Sequence, residues 1–180
     1  MASKWNSKVA WPKDNFKIRC IRNSFEESKS SGNPMIVLDF EVDSPETYTI
    51  DGVEYNMAGV SYGLRQWYVT KVMDASGAVD AEKTANCAER LRKLYAQFGL
   101  DFTKFDPENP TLEFEGKLVW ALLRPDTQEQ HKTPTKEQLA RGEKQGEVIK
   151  HPITGQPLIQ YVPTIDEIFG LAEAGPNIPF

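Results

Sequence analysis

Between Glu54 and Val72 the chain reads EYNMAGVSYGLRQWYVTKV, an aromatic and β-branched run broken at Gly59 and Gly63. Tyr, Trp, Val and Thr favour extended backbone, whereas a glycine inside such a run marks a bulge or a sharp bend. Taken as one strand that curves at its glycines, the stretch supplies the bending that a small closed sheet requires. The reading of the whole fold turns on it.

Upstream, FKIRCIRNSF from Phe16 to Phe25 sets Phe16, Ile18 and Cys20 against Lys17 and Arg19, the alternation of a half-buried strand. KSSGNP, beginning at Lys29, is turn chemistry. MIVLDFEV follows, with Ile36, Leu38, Phe40 and Val42 on one face and Val37, Asp39 and Glu41 on the other, so the two strands predict a hairpin. DSPETYTIDGVEY then reads as a loop with a tight turn at Asp51-Gly52.

Downstream, Asp80 is placed to cap a helix whose apolar stripe is Ala85, Ala88, Leu91, Tyr95 and Phe98. Arg90, Arg92 and Lys93 gather toward its end and Gly99 follows, as dipole and C-cap preferences require. TLEFEGKLVWALLR predicts one long strand with Leu112, Phe114, Leu118, Trp120 and Leu122 on its core side. A polar excursion from Pro125 to about Pro157 leads to a short last strand, LIQYV. Beyond Pro163 come Asp166, Glu167 and Glu173 with no Lys or Arg. The expected division is a domain over 1–163 and a flexible acidic tail over 164–180.

Two paired strands, a curved third strand, a helix, a long fourth strand, a loop and a fifth strand form the connectivity of the OB-fold. The expectation is therefore a mainly β, five-stranded Greek-key barrel with one helix between strands three and four. The 180 residues, 39% hydrophobic, suffice for one core, and the net charge of −5 excludes a uniformly basic nucleic-acid binder while leaving room for a basic groove on an acidic body. Cys20 and Cys87 lack any CxxC or His partner pattern, which suits a reduced, cytoplasmic setting. No secretion signal or membrane span is read, and no cofactor or metal is called for.

Two segments carry a resemblance. KSSGNPMIVLDFEV together with EYNMAGVSYGL resembles phage OB-type proteins, and the ending NIPF is similar to the tip of bacterial single-stranded DNA-binding proteins, an acidic tail closing in Ile-Pro-Phe. The resemblance implies a non-enzymatic protein that coats single-stranded DNA during phage DNA replication, recombination or repair, in the host cytoplasm. It further implies that Asp166, Glu167, Ile178, Pro179 and Phe180 recruit replication or recombination proteins. Where that family carries consecutive aspartates before the tip, this chain has Gly175, Pro176 and Asn177.

A groove for a single strand needs cations to follow phosphates and ring faces on which bases stack. Lys17, Arg19, Arg22, Lys29, Arg65 and Lys71 supply the first, and Tyr62, Trp67 and Tyr68 the second, with Trp5 and Trp11 also close in sequence to basic residues. Trp67 and Tyr68 are neighbours in a strand, so at least one faces outward. The first-strand cations also read as an ordinary solvated face. Asp39, Glu41 and Asp43 share one strand side and are expected to face away from nucleic acid. Two other readings stay open: a structural or protein-interaction β-domain, such as a virion component, and a Mg²⁺-dependent nuclease built on the Asp39 side. The second lacks any completing His, Lys or distant carboxylate motif.

Overall fold

The structure, a computed structural model, describes residues 1–172. Its elements in chain order are β1 (Ser3–Lys4), β2 (Asp14–Glu27), β3 (Pro34–Ser44), β4 (Thr47–Ile50), β5 (Val53–Asn56), β6 (Arg65–Val69), α1 (Ala81–Gln97), β7 (Leu118–Glu129), α2 (Lys136–Ala140) and β8 (Ile159–Leu171). They build two sheets: a five-stranded antiparallel one in the order β6-β3-β2-β7-β8 and a three-stranded one in the order β1-β5-β4.

Neither sheet closes on itself, which corrects the expected OB-fold barrel. The stretch from Glu54 to Val72 is the reason. Gly59 and Gly63 adopt φ of 78° and 80°, a region that costs an L-residue with a side chain dearly, so the backbone turns there instead of curving smoothly. The run breaks into β5, an irregular link and β6. β5 pairs with β4 and β1 in the second sheet, leaving β6 only five residues long.

β6 and β8 are consequently the open edges of the large sheet. The link just before β6 approaches β8 at Gly63, where an added Cβ would lie 2.5 Å from the Pro163 carbonyl oxygen, but no ladder joins β6 to β8 among the described residues. Groups on the outer edge of β8 are taken by other parts of the chain. The Tyr161 N–H donates to the Ser7 carbonyl at 2.8 Å, and the Gln97 side chain donates to the Ile168 carbonyl.

The helix begins at Asp80, whose carboxylate accepts from the Lys83 N–H at 3.1 Å. Its buried residues are Leu91, Leu94 and Tyr95, followed by Phe98 at the C-cap. Arg90, Arg92 and Lys93 lie short of the last turn, which holds no basic residue. α1 packs against both β6 and β8 and so covers one end of the opening between them. Phe98 meets Phe40 at 6.2 Å and Phe114 at 5.0 Å, and Tyr95 meets Phe114 edge-on at 5.2 Å. At the other end, Trp5, Trp11 and Phe16 pack in sequence at centroid spacings of 5.1 Å, with Tyr48 of β4 against Phe16.

The fourth strand of the large sheet corrects another expectation. Leu112 and Phe114 were placed in one register with Leu118, Trp120 and Leu122, but a turn at Glu115-Gly116, with Gly116 at φ 83°, intervenes. The phase is reset there. Val119, Ala121 and Leu123 are fully buried, while Leu118, Trp120 and Leu122 are half-buried on the opposite face. The expected flexible tail is also revised: residues 164–171 continue β8 and pair with β7.

Candidate nucleic-acid interface

The register β2-β3-β6 places Ile18, Cys20, Ile36, Leu38 and Phe40 on the core side, each essentially without solvent exposure. Alternation then puts Lys17, Arg19, Asp39, Asp43, Arg65 and Trp67 on the outer face, and a register shift between Cys20 and Arg22 brings Arg22 to it as well. Trp67 is 59% exposed, a large cost for an indole that serves only packing. Tyr68, its neighbour, turns inward, half-buried against the core, and the Arg90 guanidinium sits 5.6 Å over its ring. Burial pushes the Tyr68 hydroxyl pKa up to about 12.

The opening between β6 and the far ends of β7 and β8 forms a groove of about 600 Å³. Arg65, Gln66 and Trp67 line it from β6, Arg90 from α1, Gln128 from β7 and Thr164 from β8. Tyr62, 50% exposed, stands at its margin: its hydroxyl donates to Gln128 Oε1 at 2.8 Å and accepts from Gln160 Nε2 at 3.1 Å. One carboxylate, Asp126, also lines the groove. A ring face, two guanidiniums and several amide and hydroxyl groups thus meet where the sheet fails to close.

The cations named from the sequence do not form one furrow. Arg22 and Arg65 converge on Asp39 from the strands on either side of it. Arg65 Nε reaches Oδ1 at 2.6 Å, Arg65 Nη2 reaches Oδ2 at 3.1 Å, and Arg22 Nε reaches Oδ2 at 2.9 Å. The Arg65 hydrogen bond is the main cause that holds the Asp39 carboxyl below the usual carboxylate range. Arg19 pairs with Asp43 at 2.8 Å. Lys17 Nζ lies 5.7 Å over the Trp120 ring, so Trp120 belongs to this outer face and not to the core as expected. Lys71 is ion-paired with Glu108 beside Phe25 and Met73, away from the groove, and Lys29 is exposed in the β2–β3 turn.

Asp39 and Asp43, expected to face away from any nucleic acid, thus share the face with the cations. The same pairing sets guanidinium groups on both oxygens of Asp39, the carboxylate on which a nuclease site would rest. Trp5 and Trp11 are buried. Asp166 is on β8, paired with Arg124 at 3.2 Å, and Glu167 is exposed on the same strand. Ile178, Pro179 and Phe180 lie outside the described residues.

Arg90 is the groove residue that sequence reading missed. In the sequence it reads as a helix-dipole cation, and only the docking of α1 beside β6 sets it over the Tyr68 ring and on the wall of the groove that Trp67 also lines. Gln66, Gln128 and Thr164 carry no local signal either, since strands distant in sequence assemble them.

The fold and this surface define a mostly β domain with an open five-stranded sheet and a groove at its unclosed seam. No family model, curated protein or solved structure matches the chain. The open sheet overturns the resemblance to barrel-type single-stranded DNA-binding proteins, together with the groove position that a barrel implied.

Proposed function

We propose that the chain is a non-enzymatic, sequence-tolerant binder of single-stranded DNA, and that the seam between β6 and β8 is its contact surface. The observation that carries the reading is the exposed Trp67 ring beside Arg65 and Arg90 on a groove of about 600 Å³. A base stacked on an indole gains about 1–3 kcal/mol whatever its identity, because every base has a π-face. Arg65 and Arg90 offer guanidinium donors to the adjoining phosphates. The reading needs no closed barrel.

A labelled oligo-dT and a mixed-sequence oligonucleotide of equal length test this by electrophoretic shift. Comparable binding to both is expected, with a log–log salt slope of about −0.7 per phosphate contacted. Absence of a complex at low salt, or preference for duplex, contradicts it. One observation favours a second reading, a protein-interaction β-domain: Arg19, Arg22 and Arg65 are already paired with carboxylates, which leaves the outer face near neutrality. That reading expects no shift with either oligonucleotide.

A further inference from the structure

Two guanidiniums closing on one carboxylate is the arrangement by which arginines hold a phosphate. Here the carboxylate belongs to the protein. Arg22, Asp39 and Arg65 lie in one lateral row across β2, β3 and β6, paired in register. With adjacent strands about 4.8 Å apart, the two arginine backbones stand roughly 10 Å from each other, astride Asp39. The side chains of Arg22 and Arg65 are 59% and 45% exposed, that of Asp39 only 19%. The cations therefore face solvent and the anion sits below them. Arg19 and Asp43 repeat the arrangement as a single pair, at 40% and 27% exposure.

We infer that Asp39 acts as a resident anion that competes with DNA phosphates for Arg65 at the seam, setting the affinity and salt dependence of binding. This rests on the proposed function. A strand entering the groove along Trp67 meets Arg65 first. To engage it fully, a phosphate must draw the guanidinium from Asp39, and the carboxylate then stands close to the incoming negative charge. Both effects weaken the complex and make it easy to displace. Asp39 is thus a determinant of binding strength placed on the cationic face itself.

The test is a fluorescence-anisotropy titration of labelled oligo-dT at three salt concentrations, with wild type, Asp39→Asn, Asp39→Glu and Asp43→Asn, each checked by thermal melting. Asp39→Asn keeps the side-chain size and removes the charge. It is expected to bind on the order of fivefold tighter at low salt. Its log–log slope should steepen by about 0.7 for each phosphate newly engaged. Asp39→Glu should bind like wild type, and so should Asp43→Asn, whose partner Arg19 lies on β2 outside the groove.

If wild type binds while a folded Asp39→Asn is unchanged or weaker, the inference fails and the proposed function stands. Should Asp39→Asn not fold, Asp39→Ser takes its place in the same titration: no gain in affinity or slope overturns the inference. If wild type forms no complex, the proposed function fails and the inference falls with it.

Discussion

Trp67 is the residue on which most rests. Its ring is exposed on an edge strand, so Trp67→Ala removes little buried area and should leave the melting temperature within a few degrees of wild type. Loss of one base stack should lower oligo-dT affinity by about tenfold or more. Equal affinity in fluorescence titration would place the contact elsewhere. The two cysteines offer a check on packing. Cys20 is buried and its pKa raised to about 12 by desolvation, while Cys87 is half-exposed on α1. Native protein should therefore take up a single equivalent of a maleimide, at Cys87. Asp39 gives a pH test with a definite sign. Because its carboxyl is held below the usual range, its ion pairs contribute their full stability above the unfolded-state pKa and lose it as pH falls through the lowered folded-state value. The gap in melting temperature between wild type and Asp39→Asn should shrink over that acid range. Strand alternation fixes only that Trp67 and Tyr68 point to opposite faces; which of them points outward did not follow from the sequence. Nor did the outward Trp120, because Gly116 reverses the phase and an alternating pattern does not reveal where the chain turns between its halves.

Among the elements, the hairpin β2–β3 was legible from alternation and turn chemistry, and α1 from its cap and from Leu91, Tyr95 and Phe98 of its stripe, whereas Ala85 is exposed and the buried Leu94 was not foreseen. The division of Glu54 to Val72 was not. Glycine signals a bend without stating whether the strand continues beyond it, and the capture of β5 by β4 and β1 depends on contacts distant in sequence. Gly63 makes the consequence measurable. It has φ 80° and a Cβ there would lie 2.5 Å from the Pro163 carbonyl oxygen and 3.2 Å from Val162 Cβ. Gly63→Ala must force the link before β6 away from β8 in addition to straining the backbone, so it should destabilise by more than about 1 kcal/mol in urea unfolding. Phe98→Ala, emptying the place where α1 meets Phe40 and Phe114, should cost about 3–5 kcal/mol.

At the scale of the whole molecule, an anionic chain of net charge −5 arranges its cations in alternation with carboxylates on one face. Composition showed the charge but not the pairing, since Arg22, Asp39 and Arg65 meet only through strand register. The groove was equally invisible: it exists because two strand edges approach without joining, and α1 delivers Arg90 to it. The account's central claim is that this unclosed seam, with Trp67 and Arg65 on its wall, is where a single strand binds. The most direct measurement is an oligo-dT titration of wild type and a Trp67→Ala, Arg65→Gln double variant at low and moderate salt. Binding by wild type that weakens steeply with salt, and near-complete loss in a double variant that still melts cooperatively, is the predicted result. Equal binding by the two proteins, or none by wild type, would contradict it.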